Sequence, residues 1–205
     1  MNTFTGQSIV VTGASEGIGR ALCLALAPQA PRLTIAARNR ARLESLREEA
    51  LAAGAREVLV QPADVTDPEA CRALIDAAAE TFGGIDVLVC SAGGTMWTRL
   101  DQMETPDIFE RLMRLNYLGS VYCTYYAVPH LKQRAGRILA MSSVAGLTGV
   151  PTRTAYSASK HAMFGFFDSL RVELAAFGVS ITVAAPDYVL SEIHRRALGP
   201  DGQPL

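Results

Sequence analysis

Tyr156 and Lys160 stand four residues apart in Tyr156-Ser157-Ala158-Ser159-Lys160, inside a stretch of helical period from Thr154 to Ala176. That spacing puts a phenol and an ammonium on one helix face, one turn from each other. A free phenol releases its proton only near pH ~10, too high for exchange at neutrality, but a neighbouring ammonium favours the phenolate. The pair is therefore a candidate proton donor and acceptor. Six tyrosines and only two lysines, Lys132 and Lys160, occur in the 205 residues. Chance alone would give one Tyr-x-x-x-Lys pairing in such a chain with a probability of about 6%. Thirteen residues before Tyr156, an apolar run ends in Met141-Ser142-Ser143-Val144. A serine at the carboxyl end of a strand lies where open α/β sheets bind their ligands, and either Ser143 or its neighbour Ser142 can fill that role.

A second cluster lies near the start of the chain, in Thr12-Gly13-Ala14-Ser15-Glu16-Gly17-Ile18-Gly19-Arg20, directly between a strand pattern and a helix pattern. Glycines at 13, 17 and 19 let the chain turn tightly, approach a pyrophosphate and pack helix against strand. The free N–H groups opening the helix, with the positive end of its dipole, make an anion site. A dinucleotide is the expected ligand. An NAD site commonly carries an Asp or Glu about twenty residues further on, for the ribose 2′-hydroxyl. Here the second strand ends in Ala36-Ala37-Arg38-Asn39-Arg40, with no carboxylate. Arg38 at the strand tip attracts a 2′-phosphate, so NADP(H) is expected over NAD(H).

These groups need a scaffold, and short β-branched runs alternating with helical segments supply one. Strands are expected at Ser8–Thr12, Arg32–Ala36, Glu57–Val60, Ile85–Val89, Arg137–Met141 and Ser180–Ala184. Helices are expected at Ile18–Ala27, Arg40–Ala53, Pro68–Thr81, Pro106–Lys132 and Thr154–Ala176. Pro68 follows Asp67 as proline follows an N-cap, while Gly54 and Gly178 stand where helices stop. The rhythm predicts a single doubly wound Rossmann-type α/β domain over residues 1–205, with a mainly parallel sheet of six strands.

With the elements in place, Thr12-Gly13-x-x-x-Gly17-Ile18-Gly19, Asn116, Ser143 and Tyr156-x-x-x-Lys160 resemble the classical short-chain dehydrogenase/reductase family over essentially the whole chain. The resemblance implies an oxidoreductase that interconverts a secondary alcohol and a ketone by hydride transfer. Tyr156 would exchange the proton at the substrate oxygen, Ser143 would hydrogen-bond that oxygen, and Lys160 would favour the phenolate and hold the nicotinamide ribose. Asn116 would position a water relaying protons to Lys160. Asp64 and Val65 look like the adenine contact, and Ala92-Gly93 like the structural Ala-Gly after the fourth strand. Ser15, Glu16 and Ile18 in the glycine-rich turn, with Ser91, Pro186, Val189 and Ser191, complete the expected cofactor surface. Structural roles stand beside these: Asn116 can bridge within a helix, Asp64 can cap one, and Tyr117, Tyr122, Tyr125 and Tyr126 can be helix packing.

The sequence departs from the family pattern where Cys90-Ser91 replaces a pair of asparagines and where Asp187 follows Pro186 in place of glycine. Residues 187–205 correspond to the start of a substrate-binding loop, with Glu192–Leu198 as its first helix. The usual seventh strand is absent from this chain, which leaves NADP(H) binding with little or no turnover as the alternative function. The substrate expected is a lipophilic alcohol or carbonyl compound, steroid-like, long-chain or aromatic. Phe164, Phe166, Phe167 and Leu170 are expected against a partner subunit in a homodimer or homotetramer built through the helices of Asn116 and Tyr156.

Nineteen basic against twenty acidic side chains leave a net charge of −1, which gives no reason to expect nucleic acid as a partner. No apolar run is long enough to span a membrane. The four cysteines, Cys23, Cys71, Cys90 and Cys123, lie far apart without zinc spacing, and His130, His161 and His194 show none either. No metal is expected, and the composition suits a reduced, cytoplasmic setting.

Overall fold

The computed structural model describes residues 4–205. Six strands, β1 (Ser8–Thr12), β2 (Arg32–Ala36), β3 (Glu57–Val60), β4 (Val87–Cys90), β5 (Arg137–Met141) and β6 (Ser180–Ala184), form one sheet in the order β3-β2-β1-β4-β5-β6. Every pairing is parallel. Central β1 is buried along its whole length, as an apolar strand covered on both faces must be. The register sets Val10 between Thr34 and Leu88. Strand order reverses between β1 and β4, so the crevice above their carboxyl ends is the ligand position of such a sheet.

Helices α1 (Gly17–Leu26), α2 (Arg40–Ala52), α3 (Pro68–Phe82), α4 (Asp107–Leu112), α5 (Gly119–Arg134) and α6 (Thr154–Leu174) surround the sheet. α1 and α2 bury Cys23, Leu43 and Leu46 against Ile9, Val11, Leu33 and Ile35 on one face. α3, α5 and α6 bury Leu74, Ile75, Leu131 and Phe167 against Val10, Leu88 and Ile138 on the other. Each such side chain contributes about 1.5–3 kcal/mol on leaving water. Asp67 caps α3 by accepting from the Glu69 N–H at 2.9 Å, with Pro68 in the first turn. No helix of the described residues is long and apolar enough to cross a membrane.

Five strands fall where the sequence pattern puts them, and β4 begins two residues later, at Val87. The expected single helix from Pro106 to Lys132 is instead α4, a π-helical turn over Met113–Leu118, and α5. Widening the ladder by one residue brings the Gly119 N–H to the Arg114 carbonyl and turns Asn116 inward, where it is fully buried. Hydrophobic period alone does not register a one-residue insertion.

The expected loop helix Glu192–Leu198 is also absent. These residues form turns, and the backbone bonds outward: the Leu198 N–H reaches the Thr95 carbonyl at 3.0 Å and Trp97 N–H the Leu198 carbonyl at 2.9 Å. For Leu198 a carbonyl on a neighbouring loop has replaced the i−4 carbonyl a helix would use, while the Ala197 N–H closes a turn onto the His194 carbonyl. The apolar stripe of α6 needs a correction too. Phe167 is wholly buried in its own core, and Phe166 packs edge-on against Tyr117 and Phe167, at 6.1 and 4.9 Å between ring centres.

Candidate active site

The crevice floor is the glycine-rich turn. Gly13 has φ +66°, and a Cβ there would sit 2.7 Å from the Ala92 backbone, so β1 and β4 approach this closely only with glycine present. A Cβ at Gly19 would meet the Gly13 carbonyl oxygen at 2.5 Å. Thr12 fastens the two loops: its hydroxyl donates to the Val89 carbonyl at 3.2 Å and accepts from the Ser91 and Ala92 N–H groups at 3.1 and 3.3 Å. No side chain caps the N-terminus of α1. Its first N–H groups therefore remain available to an anion, and a bare-backbone turn leading into such a helix fits a dinucleotide pyrophosphate.

Lys160 is 4% exposed, and its Nζ donates to the Met141 carbonyl at the end of β5, 2.7 Å away. The ammonium lies 5.8 Å from the ring centre of Tyr156 and 3.7 Å from where a Gly93 side chain would begin. β4, β5 and α6 thus meet at one buried cation. Burial pushes the Lys160 ammonium down from 10.5 to about 8, with a weaker opposing effect from Cys90. Tyr156 is half-buried beside it.

Ser142 and Ser143 divide their work. The Ser142 hydroxyl donates to the Lys160 carbonyl at 3.1 Å, inside the protein, and holds α6 to β5. Ser143, buried just past the end of β5, accepts from the Ala145 N–H at 3.2 Å and donates to the Pro186 carbonyl at 3.5 Å. Asn116 is locked to the β4 loop: Oδ1 accepts from Gly94 N–H at 2.8 Å, while Nδ2 donates to the Gly94 carbonyl at 3.0 Å and the Ser159 hydroxyl at 2.9 Å. Its side chain is a bridge between elements.

Around the rim, Arg38 is 75% exposed at the tip of β2, and its guanidinium is 4.0 Å from the Asp64 carboxylate. The other Asp64 oxygen accepts from the Thr66 N–H and hydroxyl at 3.0 and 2.9 Å, which makes Asp64 a turn former. Val65 is buried, its side chain against Gly119. The Glu16 carboxylate pairs with Arg42 and with Arg196, the latter at 2.9 Å, so the segment after β6 folds back onto the turn. Gly17 and Ile18 face Val189 and Leu190 across a cleft of about 410 Å³, with Ser191 beside Gly17. Ser15 and Ser91 are half-buried, and Asp187 is exposed. Cys90 points away into the core beside Thr124, and burial pushes its thiol up to about 12. Among the described residues no group of His, Cys, Asp and Glu can hold a metal.

Sequence reasoning placed Thr12 only within the glycine-rich pattern and missed Gly94 and Ser159; all three act by bonding to loops whose positions spacing does not reveal. It also missed Arg153, Thr95 and Trp97 at the crevice mouth.

A family model described as short chain dehydrogenase matches residues 7–199. The chain belongs to the short-chain dehydrogenase family. Within it, the chain is 36% identical over 201 residues to an 11-beta-hydroxysteroid dehydrogenase of Pinus massoniana, covering 98% of this chain and 56% of that one. It is 40% identical over 190 residues to 11-beta-hydroxysteroid dehydrogenase A of Arachis hypogaea, covering 92% and 54%. The chain therefore spans little more than half the length of these curated relatives. A short-chain dehydrogenase/reductase from Burkholderia phymatum, solved in complex with NAD, superposes with TM-score 0.88 at 29% identity, covering 95% of this chain and 70% of that one. An alcohol dehydrogenase from Thermococcus sibiricus, complexed with 5-hydroxy-NADP, gives TM-score 0.85 at 26% identity, covering 97% and 81%.

Proposed function

We propose that this short-chain dehydrogenase is an NADP(H)-dependent oxidoreductase that interconverts a lipophilic secondary alcohol and its ketone, with Tyr156 as acid and base. The observation that carries the reading is the buried Lys160 ammonium at the switch point of the sheet, beside Tyr156 and Gly93 and without a carboxylate partner among the described residues. Burial sets a desolvation cost against that ammonium, and a charged group kept in a crevice at such a cost marks a functional position.

The glycine-rich turn and the open end of α1 would hold the pyrophosphate, and Arg38 would hold a 2′-phosphate. When bound, reduced nicotinamide supplies the hydride for the carbonyl carbon and is left oxidised. Tyr156 gives the carbonyl oxygen its proton as the C=O π bond opens, and takes that proton back in the reverse direction. Ser143, just past the end of β5, would turn its hydroxyl from the Pro186 carbonyl to donate to the same oxygen. Lys160 offsets the charge left on the phenolate. Asn116 keeps Gly94 and Ser159 in register, and so fixes the β4 loop against α6.

NADP(H) over NAD(H) rests on Arg38, the exposed cation at the tip of β2, since a strand-tip carboxylate that would favour a ribose diol is missing. The outer sides of α5 and α6 expose Tyr125 at 72% and Val172 at 78%, and these surfaces suit a homo-oligomer. NADPH fluorescence on titration, followed by loss of its absorbance with a panel of ketones, tests the proposal. Binding with oxidation by at least one lipophilic ketone is expected; binding without oxidation across the panel would favour the cofactor-binding alternative.

A further inference from the structure

Arg153 stands at the N-cap of α6, three residues before Tyr156, and is half-buried. Its Nη1 donates to the Thr95 hydroxyl at 2.5 Å, and its guanidinium carbon lies 4.7 Å from the ring centre of Trp97. Burial pushes Arg153 below its ordinary value, while the phenols of Tyr156 and Tyr188 act in the opposite direction. Nearby Arg99 is neutralised by a two-pronged pair with Asp101, both contacts at 2.9 Å. Arg153 has no carboxylate partner among the described residues. A guanidinium carries five N–H donors in a rigid fork. Thr95 takes a single one, and Trp97 covers a face, so the edge of the fork is left over. The positive end of α6 adds to the attraction for an anion.

We propose that Arg153, steadied by Thr95 and Trp97, is a specificity-determining residue that binds an anionic group of the substrate, so that the preferred ketone is an acidic one carrying a carboxylate close to its carbonyl. The inference rests on the placement of the reacting carbonyl at Tyr156. Arg153 is the N-cap of the helix that carries Tyr156 three residues further on, and its guanidinium interacts electrostatically with that phenol, which suits a keto acid whose carboxylate lies near its carbonyl. Trp97, 49% exposed, lies against the fork and suits an aryl group beside it. Electrons and protons balance as in the neutral reaction, because the carboxylate only binds.

Trp97 is the sole tryptophan of the chain, so its emission reports directly on this spot. The probes are phenylglyoxylate and its methyl ester, which differ in the charge. Saturable quenching by the acid, at least about tenfold tighter than by the ester, is expected, because the charge-assisted hydrogen bond to the guanidinium is made only by the acid. Arg153→Met should bring the acid-to-ester ratio to about one, in quenching and in kcat/KM with NADPH, whereas Arg153→Lys should keep part of the preference. Equal affinity for acid and ester in the parent chain, no binding of the acid, or a preference that survives Arg153→Met would each overturn the anion subsite. If the acid binds in an Arg153-dependent way but neither probe nor any ketone of the panel is reduced, the reductase reading fails and the subsite stands.

Discussion

Replacing Lys160 by methionine removes a charge the fold carries at a cost, and pH reveals how large that cost is. The unfolded lysine keeps its proton up to about pH 10.5, whereas the folded one keeps it only to about 8. Between those values the unfolded chain holds more protons, so the Lys160 contribution to stability rises with pH. Below about pH 8 both states are charged and the penalty is complete, about 3 kcal/mol for a fall from 10.5 to about 8. Going from about pH 7 to about pH 9.5 should restore about 2 kcal/mol of it. Methionine removes the penalty at every pH, but leaves the Met141 carbonyl without its 2.7 Å hydrogen bond, which costs about 1–3 kcal/mol. The two effects nearly cancel at neutrality, and the slope is the diagnostic. Urea unfolding followed by circular dichroism at three pH values should show the parent chain gaining about 2 kcal/mol relative to Lys160→Met across that interval. Parallel stabilities of the two proteins would refute the claim that this ammonium is held against desolvation. The same titration should give ketone reduction an alkaline limb near pH 8.

Other substitutions probe the rest of the site. Arg38→Asp should invert the preference between NADPH and NADH, through repulsion of the 2′-phosphate and a new acceptor for the ribose hydroxyl; unchanged Michaelis constants for both would sink the assignment. Gly13→Ala sets a Cβ 2.7 Å from the Ala92 backbone at φ +66°. A loss of about 2 kcal/mol or more should accompany weakened NADPH binding, and a variant as stable as the parent would show that the close approach is not required. Asn116→Leu strips three hydrogen bonds from a fully buried bridge and should cost about 3 kcal/mol by thermal melting, a near-neutral result contradicting the bridging role.

The sheet was legible because each strand is a short apolar, β-branched run between turn formers, and because the glycine-rich turn and the Tyr156–Lys160 spacing are local patterns. Local patterns stop being informative where partners come from elsewhere in the chain. Residues Met113–Leu118 keep a helical period while adding one residue to the turn, and only the buried Asn116 bridge to Gly94 explains that register. Glu192–Leu198 has a helical composition, yet Ala197 closes only a turn onto His194, and Leu198 bonds to Thr95 and Trp97. Phe167 reads as an apolar surface until α6 is laid on the sheet. Arg153 carries no motif at all; its meaning depends on Thr95, Trp97 and the missing carboxylate.

Tyr156→Phe removes a single oxygen and tests the proton-transfer role most directly, in an assay that follows NADPH binding by fluorescence and ketone reduction by absorbance on the same sample. Expected is binding within about twofold of the parent chain, and turnover lowered by a factor of about 10² to 10⁴ or more, the usual contribution of a positioned acid. Turnover close to that of the parent chain would contradict proton transfer by Tyr156.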